Sequence, residues 1–383
     1  MLWNQHVNGT LEKFTWTLPD GTVAPMHRSE VDPCLYWVDG GRYGSLFLAL
    51  HVDDMIRVCT SPALDAAFDG YMDSHYTITH FGRADQILGC GIEHEDGNIT
   101  ISLERYIKAA VSKFGVHRTI GFRESPMANG FEGGTGDMLG DAGVLEYQSL
   151  VGTLIYASTT ARPDVSYAVG RLARTMHAPS SGDLDAAYDA LEYLNQYPAE
   201  CLTYSGRGTP LNCMGYTDAS YAGEKPGRKS TIGQIFMTTS GTISWKTKTT
   251  PLTVLSSAEA ELVALCQGVK EAIFIRGLMC DIGRTMRCPM WVLVDNEAVL
   301  AMAQNVGTSD RTKHIAVRYF FIREKIGHGF VRLHHCPTDQ MAADLYTKAL
   351  SGEKFFKFSR VAFSATKHVA RLLSVLGGIR TVR

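Results

Sequence analysis

Leu211-Asn212-Cys213-Met214-Gly215-Tyr216-Thr217-Asp218-Ala219-Ser220 is a largely apolar run that closes on an acid. Its length and composition predict a strand over Leu211–Thr217 with Asp218 at its end. Gly233–Thr239 and Thr242–Trp245 read as two successive strands after it. Ser256 and Ser257 are of the residue types that cap helices, and a long helix is predicted to run from them to about Cys280. Trp291–Val294 reads as a fourth strand, Glu297–Gln304 and Lys313–Ile326 as helices, Phe330–His334 as a fifth strand, and Asp339–Leu350 as a last helix. Three strands in succession, then strands alternating with helices, predict an α/β (α+β) domain on a mixed five-stranded sheet with flanking helices.

Four acids fall at informative places in this domain. Asp218 and Asp295 each follow an apolar strand directly. Glu261 lies one turn into the long helix, and Asp344 in the last one. Strand ends and the helices beside them can converge at one edge of a sheet. Carboxylates gathered there repel one another and need a cation, for which oxygen-liganded Mg²⁺ is the natural choice, with Mn²⁺ as a substitute. Two such ions about 3.5–4 Å apart activate a water and stabilise the leaving oxygen of a phosphodiester. The alternative is that the four acids are ordinary caps and solvated residues. Glu259, two residues before Glu261, is predicted to point elsewhere, toward the surface.

Upstream, Gly44–Val52 and Met55–Cys59 are short apolar runs flanking Asp53-Asp54, and predict a buried β-hairpin with the two acids at its tip. Residues 1–30 read as irregular, with turn signals at Asn8-Gly9 and Pro19-Asp20-Gly21. Ile99–Ser102 reads as a strand, and Leu103–Phe114 as a helix stopped by Gly115. Residues 127–145 read as a loop, and Glu146–Met176 and Gly182–Tyr197 as helical segments. A boundary is expected near Gly206–Pro210.

Charge is divided unevenly along the 383 residues, whose net is −2. Residues 1–210 hold 14 Lys and Arg against 26 Asp and Glu; residues 211–350 hold 16 against 12, and residues 351–383 hold 7 against 1. A polyanion is therefore expected on the second half. Nine cysteines form no CxxC pair, which speaks against zinc and for reduced thiols in an intracellular setting. No apolar run is long enough to span a membrane, and Met1–Asn8 does not open a signal peptide. In the tail, Phe355, Phe358, Ala362, Ala365, Val369, Leu372 and Leu376 repeat at helical spacing, flanked by Lys354, Lys357, Arg360, Lys367 and Arg371. One helix over most of residues 354–375 is expected. It either packs on the preceding domain, lies exposed as a basic amphipathic helix, or has no evolved role.

The segments Tyr216-Thr217-Asp218-Ala219, Arg228-Lys229-Ser230-Thr231, Ile243-Ser244-Trp245-Lys246, Ser256–Leu262, Val294–Ala298, Arg311–Ile315 and Ala343–Leu350 resemble, in order, the ribonuclease H domain of copia-like retrotransposon polyproteins. His51-Val52-Asp53-Asp54-Met55, Val31–Tyr36, Glu146–Tyr156 and Ala161-Arg162-Pro163-Asp164 resemble the reverse transcriptase that precedes it. The resemblance implies a partial reverse-transcriptase palm and thumb or connection over 1–205, a ribonuclease H-like domain over 211–350, and a basic tail over 351–383. It implies cleavage of RNA in RNA–DNA hybrids, with the metal held by Asp218, Glu261, Asp295 and Asp344 and with His335 assisting product release. Arg228, Lys229, Ser230, Lys246, Lys248, Arg311, Lys313 and His314 become candidates for gripping nucleic acid; the alternative for them is a solvated polar face or simple packing. Asp53 and Asp54 match the polymerase's metal-binding pair, or else only form a polar hairpin tip. His51 stands where the family has Tyr, and the family's first polymerase aspartate would lie upstream of Trp3. DNA synthesis by this chain without the element's N-terminal polymerase or integrase parts is therefore not expected.

Overall fold

The computed structural model describes residues 2–115, 122–206, 212–221, 228–250, 254–284, 286, 288–304 and 316–375. Its contacts divide the chain into two compact units, 1–87 with 273–287, and 88–272 with 288–383.

The first unit holds α1 (Leu2–Leu11), β1 (Thr15–Thr17), β2 (Val23–Arg28), β3 (Leu35–Asp39), β4 (Ser45–His51), β5 (Asp54–Cys59), α2 (Pro62–Asp73) and the two-residue β6 (Gln86–Ile87). Strands β1 to β5 form an antiparallel sheet in sequence order. Leu46, Leu48 and Leu50 alternate along β4 onto a core shared with Tyr36, Val38, Val7, Leu11, Leu64 and Phe68. The hairpin predicted around Asp53 is present, with His51 paired to Asp54. It is not buried: one face of β4 and much of β5 stay accessible, because β5 is the edge strand. Residues 1–30 are also not irregular. Asn8, read as a turn residue, sits inside α1, where its amide donates to Asn4 Oδ1 at 2.6 Å and accepts from the Tyr36 hydroxyl at 2.6 Å. Those tertiary partners remove the local competition that makes Asn a turn former.

The second unit opens with β7 (Cys90–Glu95) and β8 (Asn98–Ser102), followed by α3 (Glu104–Phe114), α4 (Asp141–Thr160), α5 (Ser166–Leu172), α6 (Ser181–Gln196) and β9 (Cys201–Ser205). Gly115, at φ 59°, caps α3 as predicted. The helical stretch expected over Glu146–Met176 is broken after Thr160, because Pro163 cannot continue a helix. Strand β9, which the sequence reading omitted, pairs antiparallel with β8.

The second sheet follows: β10 (Cys213–Ser220), β11 (Thr231–Thr238), β12 (Thr242–Thr249), then α7 (Ser257–Asp281), β13 (Met290–Val294), α8 (Glu297–Gln304), α9 (Ala316–Gly327) and β14 (Val331–His335). Its order is β12-β11-β10-β13-β14, antiparallel across the first three strands and parallel across the last three, the mixed five-stranded sheet expected. The expected last helix is instead two short 3₁₀ turns, Thr338–Gln340 and Ala342–Tyr346. The expected boundary at 206–210 lies mostly outside the described residues. Side chains on either side of it, Leu150, Leu154 and Leu172 with Met214, Tyr216, Ile235 and Leu293, share one core.

The tail forms two helices, α10 (Gly352–Phe363) and α11 (Thr366–Val375), rather than one. Its apolar stripe is covered: Phe355, Phe358, Ala362, Ala365 and Val369 are buried in that same core, and the His368 ring pairs with the Tyr216 hydroxyl at 2.8 Å. Of the three readings of the tail, packing on the preceding domain holds. Among the described residues no helix is long and apolar enough to cross a membrane.

Candidate metal centre

Two glycines let the site assemble. Gly233 of β11 stands opposite Asp218 of β10. A Cβ on it would meet Tyr346 and Thr347 side chains at 2.7 Å and the Ala343 carbonyl at 3.0 Å, so its bareness admits the 342–346 turn to the edge where Asp218 lies. Gly268 does the same for α7, where a Cβ would lie 2.2 Å from Thr217 Cγ2.

Within that frame Asp218, Glu261 and Asp295 each offer a carboxylate oxygen within 4.8 Å of the others. Asp218 is 1% exposed; it accepts from the Thr347 hydroxyl and lies 3.4 Å from Lys348 Nζ. Asp295, half-buried at the end of β13, accepts from the Thr338 hydroxyl at 3.2 Å. Glu261 is 7% exposed, and its Oε2 is buried without a hydrogen-bond partner. Burial pushes Glu261 up to about 9, reinforced by Asp218 and Asp295. Burial likewise raises Asp218 to about 6 against the opposing charge of Lys348. An orphaned, deeply buried carboxylate oxygen facing two other acids is what a hard divalent cation would satisfy, and the all-oxygen donor set fits Mg²⁺ or Mn²⁺.

Asp344 is adjacent but differently engaged. Its side chain is wholly buried, and its two oxygens accept from Lys348 Nζ at 2.7 Å and Lys354 Nζ at 2.6 Å. Lys348 thus bridges Asp344 and Asp218; burial works against its charge, but the two carboxylates outweigh this and hold its pKa above the ordinary lysine value. Neither lysine is assigned to the acids from sequence: Lys354 reads there only as a flank of the tail's apolar stripe, and Lys348 has no role although it follows Asp344 at the four-residue spacing of helical ion pairs.

His335, at the end of β14, places Nε2 3.2 Å from the Asp295 carbonyl oxygen, while His334 is exposed. Arg228, Lys229, Lys246 and Lys248 are exposed, whereas Ser230 is fully buried, on the packing side of its two readings. Arg311, Lys313 and His314 lie outside the described residues. Asp53 and Asp54 are exposed in the other unit, and no third potential ligand joins them among the described residues. Glu259 departs from expectation. It is 8% exposed, and its Oε2 accepts from the Leu255 amide at 2.6 Å while its own amide donates to Ser256 Oγ at 3.1 Å. This is reciprocal capping at the start of α7.

No family model matches the chain. It is 31% identical over 332 residues to the retrovirus-related Pol polyprotein from transposon TNT 1-94 of Nicotiana tabacum, covering 85% of this chain and 25% of that protein. It is 30% identical over 276 residues to a putative transposon Ty5-1 protein of Saccharomyces cerevisiae, covering 71% of this chain and 84% of that one. The chain spans about a quarter of the length of the tobacco polyprotein. Similar solved structures include the LC11 ribonuclease H1 isolated from compost, 17% identical, with 36% of this chain and 92% of that chain covered at a TM-score of 0.29. They also include a foamy viral protease-reverse transcriptase in complex with RNA/DNA hybrid, 10% identical, with 76% and 36% covered at a TM-score of 0.40. At those scores the structural likenesses carry no weight for function.

Proposed function

Because this chain belongs to the retrovirus-related Pol polyproteins of copia-type transposons, we propose that its ribonuclease H-like part hydrolyses the RNA strand of RNA–DNA hybrids. The observation that carries this reading is the unpartnered Glu261 Oε2 buried within reach of Asp218 and Asp295. Asp218, Glu261 and Asp295 would hold Mg²⁺, or Mn²⁺ in its place, and Asp344 would complete the set. Two bound ions would supply an activated water and stabilisation of the leaving oxygen. The chain's own residues do the positioning. Thr347 and Thr338 fix the carboxylates of Asp218 and Asp295. His335, whose Nε2 lies 3.2 Å from the Asp295 carbonyl oxygen, would assist release of product. Arg228, Lys229, Lys246 and Lys248 are exposed cations for the phosphate backbone.

In this reading residues 1–205 are a partial reverse transcriptase, 211–350 the hydrolase and 351–383 a basic tail packed onto it. Asp53 and Asp54 belong to the polymerase ancestry. The test is cleavage of a hybrid labelled on its RNA strand, with Mg²⁺ and with EDTA. Cleavage is expected with Mg²⁺ alone and is expected to be abolished in a folded Asp218→Asn or Asp295→Asn protein. Cleavage retained by either variant would refute the metal assignment. Hybrid binding without cleavage by the unaltered chain would leave a nucleic-acid-binding remnant.

A further inference from the structure

Both oxygens of Asp344 are occupied by lysine ammonium groups, and one of those, Lys348, also faces Asp218. The four carboxylates of the centre, set against these two lysines, retain a formal charge that one divalent cation neutralises. Asp344 has no exposure with which to move away, whereas the Lys348 and Lys354 side chains are 38% and 40% exposed and can turn to solvent. Lys354 comes from α10, where Phe355 and Phe358 beside it are buried and its own Nζ lies 5.7 Å from the centre of the Phe358 ring. Helix α10 therefore contributes a charge to a centre whose acids come from the sheet, α7 and the 342–346 turn.

We propose that Lys348 is a tethered cation standing in for the second divalent ion, so that the protein free of nucleic acid binds one ion and admits another only when Lys348 leaves Asp344. This rests on the metal reading of the acid group given above. Departure of Lys348 frees an Asp344 oxygen and removes the positive charge beside Asp218 in one movement. A phosphate of the hybrid is a chemically suitable place for the released ammonium.

Mn²⁺ binding to the whole chain, measured by the electron paramagnetic resonance signal of free Mn²⁺ and by calorimetry without nucleic acid, tests this. One ion is expected for the unaltered protein. Lys348→Gln, its fold checked by circular dichroism, is expected to bind two, the first about tenfold tighter or more, because the positive charge 3.4 Å from the Asp218 carboxylate has gone. Two ions bound by the unaltered protein overturn the inference without recourse to any variant. One ion with unchanged affinity in Lys348→Gln overturns it as well, leaving the metal reading intact. If neither protein binds Mn²⁺, the metal reading falls and the inference with it.

Discussion

Glu261→Gln isolates one proton. In the metal-free protein, burial and the neighbouring Asp218 and Asp295 raise Glu261 from its ordinary 4.5 to about 9, while Asp218 rises only to about 6. Between pH 7 and 8.5, therefore, Asp218 is largely ionised folded or unfolded, whereas Glu261 is protonated folded and ionised unfolded. A raised folded-state pKa means that the stability contribution is fully present below about 4.5 and is lost as pH rises through about 9. One proton more in the folded state makes the unfolding free energy fall by about 1.4 kcal/mol per pH unit, or roughly 2 kcal/mol over this window. The variant has no such proton, so the difference in stability between the two proteins should change with that slope. Groups that do not interact with Glu261 cancel in the difference, and Asp218, raised only to about 6, adds little to the slope in this window. Urea unfolding followed by circular dichroism in EDTA, at fixed ionic strength and half-unit pH steps, measures it. Parallel pH profiles would refute the electrostatic account of the site. The same proton must leave when a cation binds, so Mg²⁺ affinity should rise about tenfold per pH unit below pH 9 and flatten in the variant.

Two stability predictions concern the core beneath the site. Arg162 is fully buried, donates to Asp164 Oδ1 and Oδ2 at 3.0 and 2.7 Å, and donates to the Tyr197 carbonyl at 2.8 Å. Arg162→Met should cost about 3–5 kcal/mol in urea unfolding by stranding Asp164, and a loss under 1 kcal/mol would refute this account of the buried pair. Phe358→Ala should cost a similar amount, about 3–5 kcal/mol, since the ring is 1% exposed in the shared core. A near-neutral effect would show that α10 is separable from the sheet, as an exposed amphipathic tail would be.

The second sheet was legible because most of its strands are apolar runs and because strand–helix alternation after β12 restricts the connections. Strand β12 itself runs past the predicted Trp245 to Thr249, through the polar stretch Lys246-Thr247-Lys248-Thr249 with no apolar signal. What escaped depends on distant partners. Asn8-Gly9 has the composition of a turn, yet Tyr36 from another strand holds Asn8 in a helix. Strand β9 pairs with β8 across about a hundred residues, and no local signal announces it. The tail's three- and four-residue repeat runs unbroken through Ala365, so periodicity alone gives one helix. The break falls at Ser364, which leaves the helical conformation at φ −140° and ψ 74°, while Ala365 and Val369 still reach the core.

The acids of the centre could be read because an acid that closes an apolar run, or lies one turn into a capped helix, departs from a local pattern, although Asp218 falls within β10 and only Asp295 follows its strand. Their charge balance could not be read in the same way. Lys348 at four residues from Asp344 looks like any solvated pair, and only the burial of Asp344 turns it into a fixture. That burial depends in turn on Gly233, on a different strand, which admits the 342–346 turn. Lys354 is more remote still: it reaches Asp344 because Phe355 and Phe358 anchor α10 in a core assembled from both sides of residues 206–210. Periodicity in sequence can therefore place the negative charges of such a site, while the number of positive charges set against them, and hence the number of cations the free protein can accept, follows from tertiary packing.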